Sequence, residues 1–505
     1  MQNRKVGLEK ESLRVAVDGG IAQTPHPRAL GSALTHPSIT TDYSEALIEL
    51  VTPPFNHFCD TLDFLDDTHR FVYSQLDNEI LWATSMPCVV EGDASIPIAQ
   101  YGSSNAAKMK TAYRRGLGHR YGRMMQAIAG VHFNYSYPEE FWSLYRDELD
   151  DGSDLQTFVA SSYMAMVRNL QRLGWLVPYL FGASPAICAS FLGASPTSLD
   201  RWFDYSYYGP YATSLRMGDI GYQNSKEGKA GINVNYNSLQ DYVDSLSYAI
   251  STPYPEYEKF GLAENGEWQQ LNPNILQIEN EYYSSVRPKQ ILNGEEKPTL
   301  ALARRGIAYL ELRSLDVNAY DPLGISEAQM RFLESLLLFS LLSPSAPYDD
   351  SELESIRHNI NEVAVRGRDP ALRLRRNGAE ILLRDWANEI FEQMAFSCEL
   401  LDKGMPEAAY GSALAEQHAK VADADLTPSA RILADMAEHK EEFYHFALRK
   451  SREHQQWFAS RPLQPEQLAG FEKVARESIE EQRRIEAADD ISFETFMQHY
   501  FAQSL

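Results

Sequence analysis

The chain has 505 residues, 44% of them apolar, enough to bury a large core and to allow two to four domain-sized units. Lysine and arginine number 46 against 70 aspartates and glutamates, a formal net charge of −24. That excess argues against nucleic acid and membranes as partners, and it requires any polyanionic ligand to be met by locally gathered arginines.

The first residues run Met-Gln-Asn-Arg-Lys into a strand-like VGLEK with no apolar h-region, so export is not expected and a cytoplasmic location is. Cys59, Cys88, Cys188 and Cys398 stand far apart with no CxxC, which fits a reducing compartment and implies no structural zinc. In VGLEKESLRV, Glu9 and Glu11 share one face of a predicted strand, since side chains alternate. TTDYSEALIELVTPP fits a helix through Asp42, Glu45 and Glu49, and a strand through Glu45, Leu47, Glu49 and Val51. The closing Val-Thr-Pro-Pro favours the strand, and in either form Asp42 and Glu49 can turn toward one site. GVHFNYS repeats the alternation with His132 and Asn134.

Residues 155 to 195 are predicted to be helical. The apolar stretch Trp175 to Leu192 is interrupted by Pro178, Gly182, Ser184 and Pro185, which makes it buried helix, turn and helix rather than a membrane span. Gly218 to Asn233 is expected to be a long loop. Strands are then predicted at LQIENEYY, with Glu279 and Glu281, and at YLELRSLD, with Glu311 and Arg313. Ser326 and Gln329 form a capping box for a helix that Pro344 ends, and Thr427 with Pro428 starts another. Pro465 to Tyr500 is charged and helical. The expected architecture is α+β: residues 1–325 catalytic and strand-containing, 326–505 mostly helical, the two packed as one integrated unit.

Apolar neighbours such as Val6, Leu8, Val131, Phe133, Leu310 and Leu312 make these interior strands, where unpaired carboxylates are costly. A cation is therefore expected among them. Hard oxygen ligands suit Mg²⁺ or Mn²⁺, ions that commonly bridge nucleotide phosphates, so ATP is the first candidate ligand. There is no GxxxxGK[ST], GxGxxG, GxSxG or HExxH. Phosphates would then be gripped by metal and by arginines, with Arg114, Arg216, Arg287 and Arg313 as candidates.

These motifs, together with SMPC, IAQYGSSN, YRRGL, PYLFGASPA, PYATSLRMGDIGY, VRPK and TPSARIL, resemble the glutamate-cysteine ligases of the proteobacterial type, nearly continuously from residue 6 to 325. The resemblance implies a glutamine-synthetase-like, mostly antiparallel sheet forming a funnel. It also implies ATP-dependent joining of the glutamate γ-carboxylate to the cysteine amine through an acyl phosphate, the first step of glutathione synthesis. Family positions fall on Glu9, Glu11, Asp42, Glu49, His132 and Glu311 for metal, and on Arg313 and Arg114 for the phosphoryl group. Arg216 falls on the cysteine carboxylate, and Tyr43, Tyr113, Leu117, Tyr222 and Tyr283 on the pocket wall. The expected partners are ATP, L-glutamate and L-cysteine, with no nucleic acid and no membrane, in a monomer or weak oligomer. The alternatives are a γ-glutamyl ligase for another amine and a non-catalytic regulator or scaffold.

Overall fold

Alternating apolar side chains from the front of the chain meet in one antiparallel sheet in the computed structural model, which describes residues 3–193, 195–221, 233–405 and 407–504. Its strands are β1 (Lys5–Ala16), β2 (Ile39–Thr41), β3 (Leu47–Val51), β4 (Glu79–Leu81), β5 (Val131–Ser136), β6 (Val286–Lys289) and β7 (Tyr309–Leu315). They lie in the order β6-β7-β5-β1-β3-β2, with β4 paired to the far end of β1. The register sets Glu9 opposite His132, Glu11 opposite Glu49, and Glu311 opposite Asn134. Directly paired residues share a face, so all six point to the same side. A register shift between Leu312 and Leu315 interrupts the β7–β5 ladder beside Arg313, a local irregularity of the kind that re-aims side chains.

The other face of the sheet is dry. Leu8, Phe133, Tyr135, Leu310 and Leu50 are fully buried there. The helices that position the site are α1 (Phe58–Gln75), α2 (Asn105–Tyr121), α3 (Leu155–Arg172), α4 (Pro298–Arg305), α5 (Glu327–Leu342), α6 (Leu383–Asp402), α7 (Ala409–Ala422), α8 (Pro428–His439), α9 (Pro465–Ala488) and α10 (Phe493–Ala502). Helix α1 packs on β1 and β3, while α5 packs against α3, α6 and α7. Ser326 and Thr427 cap α5 and α8 through their side chains, as their spacing predicts. No helix among the described residues is long and apolar enough to cross a membrane.

Three local expectations are corrected. LQIENEYY is no strand: Glu279–Glu281 form one 3₁₀ turn, because Glu279 and Glu281 are taken up by partners on α4 and α2 rather than by a ladder. The stretch from Trp175 contains a helix at Leu176–Phe181, then a short strand, Ala186–Cys188, before the helical turn Ala189–Leu192. Its Cys188 is disulfide-bonded to Cys88, 100 residues away, so the expectation of four reduced thiols does not hold for this pair. Cys59 and Cys398 are free. Most of the loop expected at Gly218–Asn233, and Tyr222 with it, lies outside the described residues.

One carboxylate ties the dry face together. Glu334 of α5, with no exposed surface, sits 2.9 Å from Arg4 Nε and accepts from the hydroxyls of Tyr135 at 2.7 Å and Tyr410 at 2.5 Å. It links the segment leading into β1 with β5, α5 and α7. Glu334→Ala removes the acceptor of two buried phenols and the carboxylate beside a buried guanidinium. The expected loss is about 3–5 kcal/mol in urea denaturation, whereas a loss below about 1 kcal/mol would show the network to be dispensable.

Candidate active site

The sheet face that carries the six paired polar groups forms the floor of a cleft of about 280 Å³. Three larger hollows lie elsewhere among the described residues, one of about 640 Å³ beside Arg172 and Trp386, and none of these three gathers carboxylates on a sheet face. At the centre His132, 3% exposed, places Nδ1 2.9 Å from Glu9 Oε2 and 3.8 Å from Glu311, while Nε2 lies 3.7 Å from Glu11. Asn134 Nδ2 donates to the other oxygen of Glu9 at 2.9 Å. Glu11 accepts from the backbone N–H of Gly130 at 2.6 Å. A Cβ on residue 130 would stand 2.2 Å from Arg216 Nη2, so any larger residue there must displace that buried guanidinium.

Negative charge exceeds what these neighbours neutralise. Glu49 is pushed well above the usual carboxylate range by burial and by the charges of Glu9, Asp42 and Glu11. Glu11 is raised by burial, with Asp42 adding to the effect against His132, Arg216 and Arg313. Glu9 is opposed by burial and by Glu311, yet the hydrogen bond and charge of His132 hold it below the usual range. In Glu311 burial likewise opposes, but Lys289, Arg313, His132 and Arg287 prevail and keep it well below. Arg313 bonds Glu311 at 2.9 Å, and the surrounding glutamates hold its charge firmly in place despite burial.

The donor set fits divalent metal. Glu9, His132 and Glu311 bring ligand atoms within 4.8 Å of one another on one side of the imidazole, and Glu11, Glu49 and His132 do so on the other. Glu311 Oε2 is buried with no hydrogen bond, its nearest cation being Lys289 at 3.4 Å, and Asn134 Oδ1 is likewise unsatisfied. Lys289 offsets charge on that oxygen without hydrogen-bonding it, so it can still accept a further electropositive ligand. Asp42 lines the same cleft but lies outside both close groups. The trio Asp435, His439 and Glu441 on α8 and just beyond it also meets the spacing criterion, but Arg449 already bonds both of its carboxylates.

Helix α2 forms one wall, bringing Tyr113, Arg114 and Leu117 to the cleft, with Tyr43 beside them. The Tyr43 hydroxyl is buried with no hydrogen-bond partner among the described residues, in a position where a Cβ on Gly118 would come within 2.6 Å of it. Arg114 donates through Nε to the carbonyl of Asp42, while Arg287 donates to the carbonyls of Asn280 and Tyr282. Tyr283 completes the wall near Met217. Arg216 stands behind the floor instead: it is 1% exposed, donates to the Arg313 carbonyl at 2.9 Å and does not line the cleft. Glu281 bonds Arg120 and Tyr121, both at 2.9 Å, and so braces α2, whereas Glu279 turns away to Thr299.

Lys289, Gln126, Met125 and Asn280 also line the cleft and were not singled out from sequence. For Lys289 the signal was present, because it lies two residues beyond Arg287 on a strand, the same spacing that exposes Glu9 and Glu11. Gln126 and Met125 sit in a 3₁₀ turn, which carries no comparable periodicity.

Comparisons with known proteins agree along the whole length. The family model for glutamate-cysteine ligase matches residues 1–363. A glutamate-cysteine ligase of Pseudomonas aeruginosa is 51% identical over 501 residues, covering 99% of this chain and 94% of its own. That of Alcanivorax borkumensis is 47% identical over 98% of this chain and 95% of its own. Among solved structures, a glutamate-cysteine ligase of Francisella tularensis in complex with AMP superposes with a TM-score of 0.92 at 35% identity, covering 99% of this chain and 98% of that one. A bifunctional glutathione synthetase of Pasteurella multocida gives 0.76 at 25% identity over 94% of this chain and 56% of its own. Fold, cleft and relatives together define a carbon–nitrogen ligase, an enzyme that makes an amide from a carboxylate and an amine. Within that class, the chain belongs to the glutamate-cysteine ligase family, whose reaction is the first step of glutathione biosynthesis.

The raised carboxylates set a pH dependence. A folded-state value above the unfolded one gives stability that is complete below the unfolded carboxylate range, about pH 4.3, and is lost as pH rises through the folded value. Glu49 and Glu11 therefore weaken the fold as pH rises, and a cation bound between them would replace their protons. Were Mg²⁺ that cation, at about 100 times its dissociation constant it would stabilise by about 2.7 kcal/mol. The rise in melting temperature on adding Mg²⁺ is expected to be a few degrees greater at pH 8 than at pH 6; an equal rise at both would show that these two carboxylates do not hold the ion.

Proposed function

We propose that the cleft binds ATP, L-glutamate and L-cysteine around Mg²⁺ or Mn²⁺, on a sheet of the glutamine-synthetase type that forms a funnel. The observation that carries this reading is the register itself, which presses Glu9, Glu11, Glu49 and Glu311 around His132, with Glu311 Oε2 beside Lys289 but without a hydrogen bond among the described residues. Glu9, His132 and Glu311 would hold metal on one side, Glu11, Glu49 and His132 on the other, with Asp42 at the rim. Bound there, divalent ions offset the repulsion between phosphate and carboxylate and stabilise charge on the transferring phosphoryl group. That the Francisella relative was solved in complex with AMP supports nucleotide binding by this chain as well.

A free carboxylate is a poor electrophile, so the glutamate γ-carboxylate first attacks the γ-phosphorus of ATP, and ADP departs. Arg313 and Arg114 face the phosphoryl group in this reading, each held in place by an oxygen acceptor of the chain. The cysteine amine then attacks the acyl carbon; the C–N bond forms, the C–O bond to phosphate breaks, and phosphate and a proton leave. Tyr43, Tyr113, Leu117 and Tyr283 wall the amine's pocket, and the open Tyr43 hydroxyl is available to a substrate polar group. Tyr222 is assigned to the same wall by family likeness.

Replacing Arg313 by Ala should lower ADP formation about a thousandfold or more with the fold intact, and near-normal turnover would remove it from phosphoryl transfer. Arg216 reaches the cysteine carboxylate in this reading from behind the floor, where its Nη2 donates to the Arg313 carbonyl. Arg216→Ala should accordingly raise KM for cysteine well above any change in KM for ATP; an equal change in both would place Arg216 in support of Arg313 instead. The reaction itself is tested by ADP and phosphate release with ATP, Mg²⁺ and glutamate, comparing cysteine, 2-aminobutyrate, alanine and no amine. Stimulation by cysteine and 2-aminobutyrate is expected. Preference for another amine would move the chain to a sister ligase, and silence throughout would favour a scaffold.

A further inference from the structure

Helix α2, which carries Tyr113, Arg114 and Leu117 into the cleft, is gripped from outside by the far end of the chain. The side chain of Ser104 caps its N-terminus by accepting from Ala107, while the next free donor, the backbone N–H of Asn105, is taken by the Asp489 carboxylate. The Asn105 amide donates to the Ile491 carbonyl at 3.0 Å, and Ser103 N–H to Glu486 of α9 at 2.8 Å. Asp489 thus sets a negative charge at the positive end of α2 across 384 residues of sequence. Helix α10 follows directly. Its Met497 and Tyr500 bury themselves with Met109 and Ala112 of α2 and with Leu271 in an apolar cluster separate from the main core, and Tyr113 packs on the edge of that cluster.

The other end of α10 is tied to the 279–283 segment, whose Asn280, Glu281 and Tyr283 line the cleft as a second wall facing α2. Lys297 Nζ donates to the carbonyls of Phe501 at 2.9 Å and Gln503 at 3.1 Å, a cation at the negative end of α10. Lys297 is itself the residue that opens α4, whose Thr299 donates through N–H and hydroxyl to Glu279. Glu279 begins the 3₁₀ turn whose next residues, Asn280 and Glu281, line the cleft. A strap therefore spans α2 on one side and the 279–283 segment on the other, in addition to the direct tie that Glu281 makes to Arg120 and Tyr121 of α2.

We propose that residues 489–504 are a positioning element for catalysis, fixing the distance and angle between the two cleft walls, with Asp489 and Lys297 as its end pins. The proposal rests on the assignment of these walls to the amine substrate. Asp489→Ala and Tyr500→Ala in the full-length chain are expected to raise KM for cysteine about tenfold or more, to leave KM for ATP nearly unchanged, and to speed amide hydrogen exchange in residues 105–113 and 279–283. Asp489→Asn keeps an acceptor for Asn105 and should restore most of the loss. Leu117→Ala serves as the control for the wall: if it leaves KM for cysteine unchanged, the substrate assignment fails, while the exchange measurement still reads the strap. Unaltered exchange in both segments, or activity lost only in proportion to unfolded protein at unchanged KM, would overturn the proposal.

Discussion

Everything about this molecule turns on the placement of β1 between β3 and β5 in one antiparallel register. Backbone hydrogen bonding decides which residues stand opposite each other, and it sets Glu11 against Glu49 and Glu9 against His132. Like charges facing each other across a ladder are destabilising, so the sheet is held together by terms unrelated to the site. Those terms lie on the reverse face, where Leu8, Phe133 and Leu310 are sealed beneath helices. The strands are committed by their dry side, and their wet side carries a charge arrangement that it would not adopt alone. Chemistry at the cleft thus draws on stability generated on the other side of the sheet.

The arginines follow the same logic at longer range. Arg313 holds Glu311, Arg216 holds the Arg313 backbone, and Arg216 in turn lies 3.7 Å from buried Asp316, which accepts from Ser214 and from the Ala183 N–H. The result is a connected run of two ion pairs, joined through the Arg313 carbonyl, from the cleft floor to the loop after the Leu176–Phe181 helix. Each link has few conformations available because burial removes water as a competing partner. A guanidinium supported in this way is preorganised for an anion rather than free to search for one.

How far the sequence revealed this depended on whether the information was local. Strand alternation exposed Glu9, Glu11, His132, Asn134, Glu311 and Arg313 as pairs on shared faces, and the Val-Thr-Pro-Pro ending settled β3 correctly. Helix starts at Ser326 and Thr427 were legible because a cap is written within four residues. Glu279 and Glu281 show the same spacing as Glu9 and Glu11, but their partners, Thr299 and Arg120, come from distant helices and overrule the strand. The Cys88–Cys188 bond, the depth of Arg216 and the grip of Asp489 on α2 are long-range facts with no local signature.

The strand order also fixes a sequence of events during synthesis. β5 is flanked by β1, made long before it, and by β7, which ends at Leu315. Until Leu315 has emerged, the growing chain carries β5 with an open edge, and Glu9, Glu11 and Glu49 lack the facing Glu311. Such non-local pairing is slow to form and prone to wrong partners. The last contacts to arrive are those of residues 489–504, from Asp489 at the start of α2 to Gln503 at Lys297. Ribosomes stalled within the final helices would therefore release a chain with its sheet complete and one wall of its cleft still loose.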